Sequence, residues 1–356
     1  MKMFRHISLI LVVAALAGCA KTEFVPTIPE KEVTFAVGSY LPDTKISSLN
    51  GSEDAITSFN SKGFLHAEGI NTTQDFFGAS GETINFNGTN EWQPSHVYYW
   101  PKSSNSHINF VSWYDKNGTP DNVASVSETA ISWTIDGTTR TLQADDNIMI
   151  ADEAWHYNDN ATVYTSYSGV VAGVPTLFHH QMAKVNVVVK ASKLSDNGTT
   201  WTITASNFTL GGVYTAGTLS LTNEEPETLP GTSAWTGSWV TSGSRSTLNG
   251  VSAATTVNTT GVQMFSHSMI PQNVGISYIS FTYVVRTSYD ANNYIEETVN
   301  TGNIRLSSFI GAVTSWDMNK KITYTVTINP ECNEILIDPQ ATDWGDTLAP
   351  PPISIE

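Results

Sequence analysis

The sequence predicts an all-β protein with two tandem β-sandwich domains, and three features of the chain favour that fold class. Short segments of alternating apolar and polar residues recur at roughly ten-residue spacing, with turn residues between them, as in β-sandwiches. Charged residues make up only 14% of the chain, against ~25% in an average protein. Thr, Ser, Asn and Gly take their place, and these residues favour strands and turns. Few segments have the apolar period of an amphipathic helix.

The chain begins with an export signal. Lys2 and Arg5 precede an apolar run, residues 7–17, which is too short for the ~20 residues needed to cross a bilayer. The run ends in Leu-Ala-Gly followed by Cys19, which resembles the lipobox of bacterial lipoproteins. That resemblance implies removal of residues 1–18 and acylation of Cys19, which would anchor the protein to a membrane. A plain secretory signal with a chance cysteine is the alternative.

Composition limits both the partners and the sources of stability. The formal net charge of −16 gives an acidic surface that repels nucleic acid. With Cys19 acylated, Cys332 is the one remaining thiol of the sequence, so the chain has no disulfide framework and its cores must supply the stability. No second apolar segment of the sequence has spanning length, so the lipid is the predicted anchor.

The predicted domain order follows from the length and from the strand pattern. Residues 19–31 hold two prolines and form a predicted tether between lipid and body. The remaining chain fits two domains of ordinary size. We predict a first sandwich over residues 32–175 and a second over residues 176–356.

The first domain opens with a short alternating strand in which Val33, Phe35 and Val37 share one face. Residues 223–250 are rich in Gly, Ser, Thr and Pro and are predicted to form a long loop region. In chain order, the predicted strands are residues 33–37, 96–100, 108–114, 131–135, 147–151, 185–189, 201–204, 217–221, 262–265, 278–285, 321–328 and 334–337.

A series of motifs follows the lipobox through nearly the whole mature chain. They are Tyr99-Trp100-Pro101, the aromatic segment 110–114, Asp-Asn-Ile-Met-Ile-Ala at 146–151, Leu-Phe-His-His-Gln-Met-Ala-Lys-Val at 177–185, Val-Tyr at 213–214, Gly-Thr-Leu at 217–219, Met-Ile-Pro-Gln at 269–272, Tyr-Thr-Val-Thr-Ile at 324–328, and Trp344. In this order they resemble the fimbrillin family, lipoprotein precursors of type V pili on Gram-negative cell surfaces. The resemblance implies two transthyretin-like Greek-key β-sandwich domains, a place at the outer membrane and cell surface, and a structural or adhesive role.

The resemblance also implies assembly by strand exchange with other pilin subunits. In such pili a surface protease removes the first strand of the precursor, and the exposed groove accepts a strand from the next subunit. Val33, Phe35 and Val37 would be the displaced strand, and Lys45 is the candidate cleavage site. The family often has a basic residue between Thr and Ala there, whereas Ile46 follows Lys45 in this chain. An ordinary surface lysine in a turn is the alternative.

The identity of the donated strand stays open. The segment after Trp344 contains three consecutive prolines, residues 350–352, which cannot donate backbone hydrogen bonds. Residues 353–355 alternate but are very few. Residues 335–337 could donate instead after a rearrangement, or the subunit could be a tip or an anchor that donates poorly.

No motif of the sequence predicts an enzyme, a metal site or a cofactor. Acidic residues and a histidine gather at residues 145–159, but they lack the spacing of a calcium loop, and a solvated loop is the favoured interpretation. His179 and His180 are adjacent, so on a strand they face opposite sides and cannot share a metal. Zinc motifs, the nucleophile elbow and phosphate loops are absent from the sequence.

Ten tryptophans keep a second class of function open, a surface lipoprotein that binds glycans for polysaccharide capture. Flat aromatic faces stack on sugar rings, so such residues could contact host or microbial surface ligands. The alternative is that the tryptophans fill the sandwich cores, because aromatic side chains bury large apolar areas. The candidates in or beside loops are Trp92, Trp100, Trp155, Trp235 and Trp239.

Overall fold

The computed structural model describes residues 31–39, 56–87, 92–118, 123–158, 173–290, 292–308 and 311–344. The predicted signal peptide, Cys19, Lys45 and the tail after Trp344 lie outside the described residues. Within these ranges the regular structure is β-strand, apart from one short 3₁₀ turn at Leu306–Ser308. Turns and loops join the strands, and there is no α-helix in these ranges. The all-β prediction is therefore confirmed. Among the same residues, no helix has the length and apolar character to span a membrane.

The strands range in length from two to fifteen residues. In chain order they are β1 Phe35–Ser39, β2 Ser58–His66, β3 Gln74–Asp75, β4 Glu82–Phe86, β5 Trp92–Pro94, β6 His107–Asp115, β7 Val123–Val126, β8 Ala130–Ile135, β9 Ile148–Ala151, β10 Glu153–Tyr157, β11 Val174–His180, β12 Ala183–Ala191, β13 Ser195–Asp196, β14 Thr199–Val213, β15 Ala216–Thr222, β16 Gly231–Ser233, β17 Thr236–Ser242, β18 Ser246–Asn249, β19 Thr255–Val257, β20 Val262–Met269, β21 Gln272–Asn273, β22 Tyr278–Ser288, β23 Tyr294–Asn300, β24 Ile304–Arg305, β25 Ser315–Trp316, β26 Lys320–Asn329 and β27 Glu334–Asp343.

Ten strands form the first sheet, in the order β16-β10-β6-β9-β11-β1-β5-β4-β2-β3. An additional pairing joins β2 to β6. The path from β6 through β9, β11, β1, β5 and β4 to β2 therefore returns to its start and forms a closed ring of strands. Strand β1 stands between β11 and β5 in that ring, so its loss would open the ring at that place.

Two further sheets face each other in the second part of the chain. One has the order β20-β12-β26-β27, and the other contains the path β13-β14-β22-β23. A fourth sheet, β17-β15-β8-β7, joins strands from both sides of the predicted boundary near residue 175, since β8 pairs with β15 over six residues. The two-domain division and its Greek-key topology stay predictions.

Three clusters of buried apolar side chains fill these sheets. The first core lies within the ring and includes Phe35, Phe59 and Phe110. The second core lies between the two facing sheets and includes Val187 and Tyr324. The third cluster, which we call the shared core, contains residues from both parts of the chain, such as Trp133, Leu219 and Trp344.

The structure corrects two of the local strand predictions. Residues 96–100 form no strand; Tyr99 makes a single β-bridge to Glu32, because Pro94 and Pro101 limit the ladder on both sides. Residues 223–250 are not one long loop, since β16, β17 and β18 lie there. The second prediction was wrong because it took glycine as a loop residue. A Cβ at Gly237 would lie 2.0 Å from the Ser220 carbonyl oxygen, so glycine permits close strand pairing there.

Candidate functional site: the first strand and its groove

Strand β1 is held mainly from one side. It pairs in parallel with β11 over five residues, from Phe35 opposite Val174 to Ser39 opposite Phe178. On its other side it pairs with β5 at one position, Phe35 opposite Trp92. Three more hydrogen bonds fix the residues just before it: from the Val174 N–H to the Thr34 carbonyl at 2.7 Å, from the Val33 N–H to the Tyr98 carbonyl at 2.8 Å, and from the Trp100 N–H to the Lys31 carbonyl at 2.9 Å.

The inward face of β1 is apolar, as its alternation predicts. Val33, Phe35 and Val37 are 2%, 1% and 5% exposed. The Phe35 ring meets Phe59 and Phe110 edge to face, with ring centroids 5.7 and 5.5 Å apart. Such pairs add roughly 0.5–1.5 kcal/mol each beyond the burial of their area. Side-chain packing therefore contributes much of what retains this short strand.

The walls of the groove under β1 are aromatic as well. Phe59 packs against Phe178 at 5.3 Å and against Trp92 at 5.4 Å between ring centroids. Gly173, just before β11, allows close approach, because a Cβ there would lie 2.9 Å from the Phe35 carbonyl carbon. Without β1, the backbone edges of β11 and β5 and this aromatic floor would all be uncovered. Such a groove can accept a strand with alternating apolar side chains.

Lys45 lies outside the described residues, in the stretch between β1 and Ile56, where the description of the chain resumes. Cleavage at Lys45 stays a prediction. Residues 335–337, the alternative donor, lie within β27, which pairs with β26 over ten residues. Ile337 is 8% exposed and belongs to the second core, so donation by this segment would require a long ladder to break.

The five candidate tryptophans are mostly core residues. Trp92, Trp100, Trp155 and Trp239 are each 8% exposed or less. Trp235 is partly buried and donates its Nε1–H to the Ala151 carbonyl at 2.9 Å. Stacking of a glycan on any of these rings stays a prediction.

The acidic segment 145–159 contains a buried ion pair that the sequence analysis missed. Arg140 lies between Asp146 and Asp115, with Nη2 2.8 Å from Asp146 Oδ1 and 3.0 Å from Asp115 Oδ1. Burial raises the pKa of Asp115, and the Arg140 charge opposes that rise. Asp145 is more exposed and pairs with Lys116 at 2.9 Å. In the sequence, Arg140 is an isolated basic residue close to several acidic ones. Because a buried carboxylate needs a cation nearby, that isolation could have predicted the ion pair.

The two adjacent histidines have different partners, as their alternation predicts. His179 Nε2 lies 2.9 Å from Asp152 Oδ1. His180 stacks on Trp344 with ring centroids 4.3 Å apart, and its Nδ1 lies 2.7 Å from Asn147 Oδ1. In the described part of the chain, no group of three or more His, Cys, Asp or Glu residues is arranged to hold a metal ion.

Comparison with known proteins places the chain in a family. Its fold is similar to that of a fimbrial protein from Bacteroides vulgatus ATCC 8482, with 14% identity, a TM-score of 0.56 and coverage of 88% of this chain and 100% of that one. A proposed cell adhesion protein from Bacteroides uniformis ATCC 8492 aligns with 13% identity, a TM-score of 0.48 and coverage of 88% and 99%. A search of curated proteins finds no match. The sequence model of the family described as fimbrillin-like matches residues 51–344. The chain therefore belongs to the fimbrillin-like family.

Proposed function

We propose that this protein is a lipid-anchored, cell-surface subunit of a type V pilus, structural or adhesive, which assembles by protease-triggered β-strand exchange. Membership of a family of fimbrial and adhesion type supports a structural role in a surface appendage rather than an enzymatic one. The partners are other subunits of the same kind. Each would fill the groove of its neighbour with a donated strand.

The position of β1 is the single observation that carries this proposal. The strand closes the ring of the first sheet, yet five residues of parallel ladder and one antiparallel pair are its strand pairings. Burial of a large apolar side chain contributes roughly 1.5–3 kcal/mol, so Val33, Phe35 and Val37 account for several kcal/mol. A donated strand with apolar residues at the same alternate positions would restore both the packing and the hydrogen bonds.

The lipid anchor is proposed from the sequence at Cys19. An acylated Cys19 would hold the precursor at the outer membrane before processing, and cleavage after β1 would release the assembled subunit from that anchor. Metabolic labelling with a fatty acid tests it. The wild-type chain should carry label and fractionate with the outer membrane, whereas Cys19→Ala should lose both properties. Equal labelling of the two chains would overturn the anchor.

Limited proteolysis tests the exchange itself. A lysine-specific protease should cut the purified precursor after Lys45, as shown by mass spectrometry, and heat-labile multimers should then appear on an unboiled gel. Lys45→Ala should stay monomeric. Lys31→Ala is the matched control, because Lys31 precedes β1 and its loss leaves the cut after the strand intact. A cut at Lys45 that yields no multimers would contradict strand exchange, and an uncut Lys45 would contradict the proposed processing site.

A further inference from the structure

One aromatic side chain at the centre of β1 is surrounded by three other aromatic rings. Phe35 meets Phe59 and Phe110 edge to face, with interplanar angles of 77° and 81°. Phe77 lies on a third side, with its ring centroid 6.4 Å away and its plane tilted by 36°. Phe59, Phe77 and Phe110 are each 7% exposed or less. We call the space that these three rings enclose around the Phe35 ring the aromatic subsite.

The aromatic subsite favours an aromatic ring over an aliphatic side chain of similar size. Edge-to-face packing brings the positive edge of one ring to the negative face of another, and it adds to the stabilisation that burial alone provides. A leucine in this place would fill most of the volume but would lose both edge-to-face contacts. An alanine would also leave a cavity in the first core. The subsite therefore ranks phenylalanine above leucine, and leucine above alanine.

The positions of β1 on either side of Phe35 hold smaller side chains. Val33 and Val37 belong to the first core beside Phe35 and are 2% and 5% exposed. Ala36 points to the opposite face by alternation, yet it is 8% exposed, and its register partner Pro175 is buried too. Both faces of β1 are therefore covered at this level, so a large side chain in the place of Ala36 would overpack.

The backbone path of β1 is fixed at the same level. A Cβ on Gly173 would lie 2.9 Å from the Phe35 carbonyl carbon, 3.0 Å from the Thr34 carbonyl oxygen and 3.1 Å from the Ala36 nitrogen, so the two main chains approach closely there. The Val174 N–H also donates to the Thr34 carbonyl at 2.7 Å. A strand that keeps these contacts must present one side chain to the aromatic subsite and the next one to the outer face.

We propose that the groove under β1 selects a donor strand with an aromatic residue at the level of Phe35, a small residue directly after it, and aliphatic residues two positions away on both sides. The inference rests on the proposed strand exchange and names the partner, a pilus subunit whose donated segment has this pattern. Residues 335–337 and 353–355, the candidate donors of this chain, contain no aromatic residue. A subunit whose strand carries one should therefore displace a second copy of this chain from the groove.

Synthetic peptides test this selection on the full chain after cleavage by a lysine-specific protease. The reference peptide is residues 32–38, which contain no lysine; it should bind, as measured by fluorescence anisotropy, and suppress the multimers on an unboiled gel. In competition with the labelled reference, the Phe35→Leu peptide should bind about tenfold more weakly and the Phe35→Ala peptide about a hundredfold more weakly. Ala36→Leu should also cost about tenfold. Thr34→Ser, which keeps the hydroxyl group, is the control and should bind as the reference does.

A change in the wall of the aromatic subsite separates selection from general packing. Phe59→Leu in the cleaved chain removes one of the two edge-to-face partners, so the preference for the reference peptide over the Phe35→Leu peptide should fall from about tenfold to about threefold. Phe281→Leu makes the same change in the second core and should leave the preference unchanged.

Three results would overturn the aromatic subsite, and they separate it from strand exchange. Equal affinity of the reference, Phe35→Leu and Phe35→Ala peptides would remove the selection and leave strand exchange standing. Multimers that form while no peptide binds would show that the groove accepts a strand of another pattern. A cleaved chain that neither forms multimers nor binds the reference peptide would contradict strand exchange itself, and the selection with it.

Discussion

Strands β1 and β12 begin the first and second cores, and each pairs in parallel with a later strand, but they are held very differently. β12 pairs with β26 over nine residues and with β20 over seven. β1 pairs with β11 over five residues and with β5 at one. Both strands bury alternating apolar side chains. The difference is that β1 is retained by side-chain packing more than by its ladders, whereas β12 is laddered on both sides, and the proposed exchange depends on that difference.

The two regions also differ in their buried carboxyl groups. Among the described residues, the fully buried carboxyl groups belong to Asp146, which lies just before β9, and to Glu153, which begins β10 of the first sheet. The second core consists of apolar side chains such as Val187 and Phe281. We therefore expect the first core to be the less stable region at neutral pH, and the following predictions test that difference in order of expected effect.

The largest effect is expected from a charge in the centre of β12. Val187 is 0% exposed in the second core, and an unpaired carboxylate there costs many kcal/mol. Val187→Asp should therefore abolish cooperative thermal unfolding of the protein, as measured by circular dichroism. Phe35→Asp on β1 is the counterpart and should leave β12 and β26 protected from hydrogen exchange. A native melting curve for Val187→Asp would contradict the assigned role of β12.

Removal of the Phe35 ring should destabilise the first core alone. Phe35 is 1% exposed and touches two aromatic rings edge to face, and such Phe→Ala changes cost about 3–5 kcal/mol. Hydrogen exchange should accelerate in β5 and β11 but not in β12. Leu336→Ala is the control, because Leu336 is 58% exposed on β27 and should change stability by less than about 0.5 kcal/mol. Equal acceleration in β12 would show that the two cores are not independent.

Glu153 should make the first core sensitive to alkaline conditions. Burial, with the Glu128 charge, raises the pKa of Glu153 to about 10, so the folded protein keeps its proton while the unfolded chain loses it above pH ~4.5. Stability is thus lost as the pH rises from 4.5 towards 10. Glu153→Gln should raise the free energy of unfolding by about 3 kcal/mol at pH 7 and by nothing at pH 4. The check is urea unfolding at both pH values, and an equal gain at both would contradict the charge argument.

His180 should add a smaller dependence in the acidic range. Burial, with the neighbouring His179, lowers the pKa of His180 to about 3, so between pH 6.5 and 3 the unfolded chain binds a proton that the folded protein does not. Stability should therefore fall as the pH drops below 6.5, by about 2 kcal/mol at pH 5. His180→Gln should remove this slope in urea unfolding measured from pH 7 to pH 5. An unchanged slope would assign the acid sensitivity to other groups.

The sequence predicts the elements of this fold better than their arrangement. The alternation of Val33, Phe35 and Val37 correctly identifies a buried first strand, and the β-branched run at 185–189 lies within β12. Glycine-rich composition hid β17, because a glycine can serve close strand pairing as well as a loop. These are local properties, which a single stretch of sequence expresses.

The stacked row of His66, His107 and His156 and the closure of the ring could not be predicted in the same way. His66, His107 and His156 are more than 40 residues apart in succession, and the register of β2, β6 and β10 alone brings them together. Each histidine by itself has no distinguishing pattern. The pairing of β1 with β11 likewise depends on a contact between residues 35 and 174, which no short motif encodes.

A covalent lock on β1 tests the proposed exchange most directly. Val37 and Thr176 are register partners in β1 and β11, so a Val37→Cys/Thr176→Cys pair can form a disulfide when Cys19 and Cys332 are replaced by serine. The control pair, Asn186→Cys/Thr323→Cys, ties β12 to β26. After cleavage at Lys45, the oxidised β1 lock should remain monomeric on an unboiled gel and form multimers once reduced, while the control forms multimers in both states. Multimers from the oxidised β1 lock, equal to those of the control, would contradict displacement of the first strand.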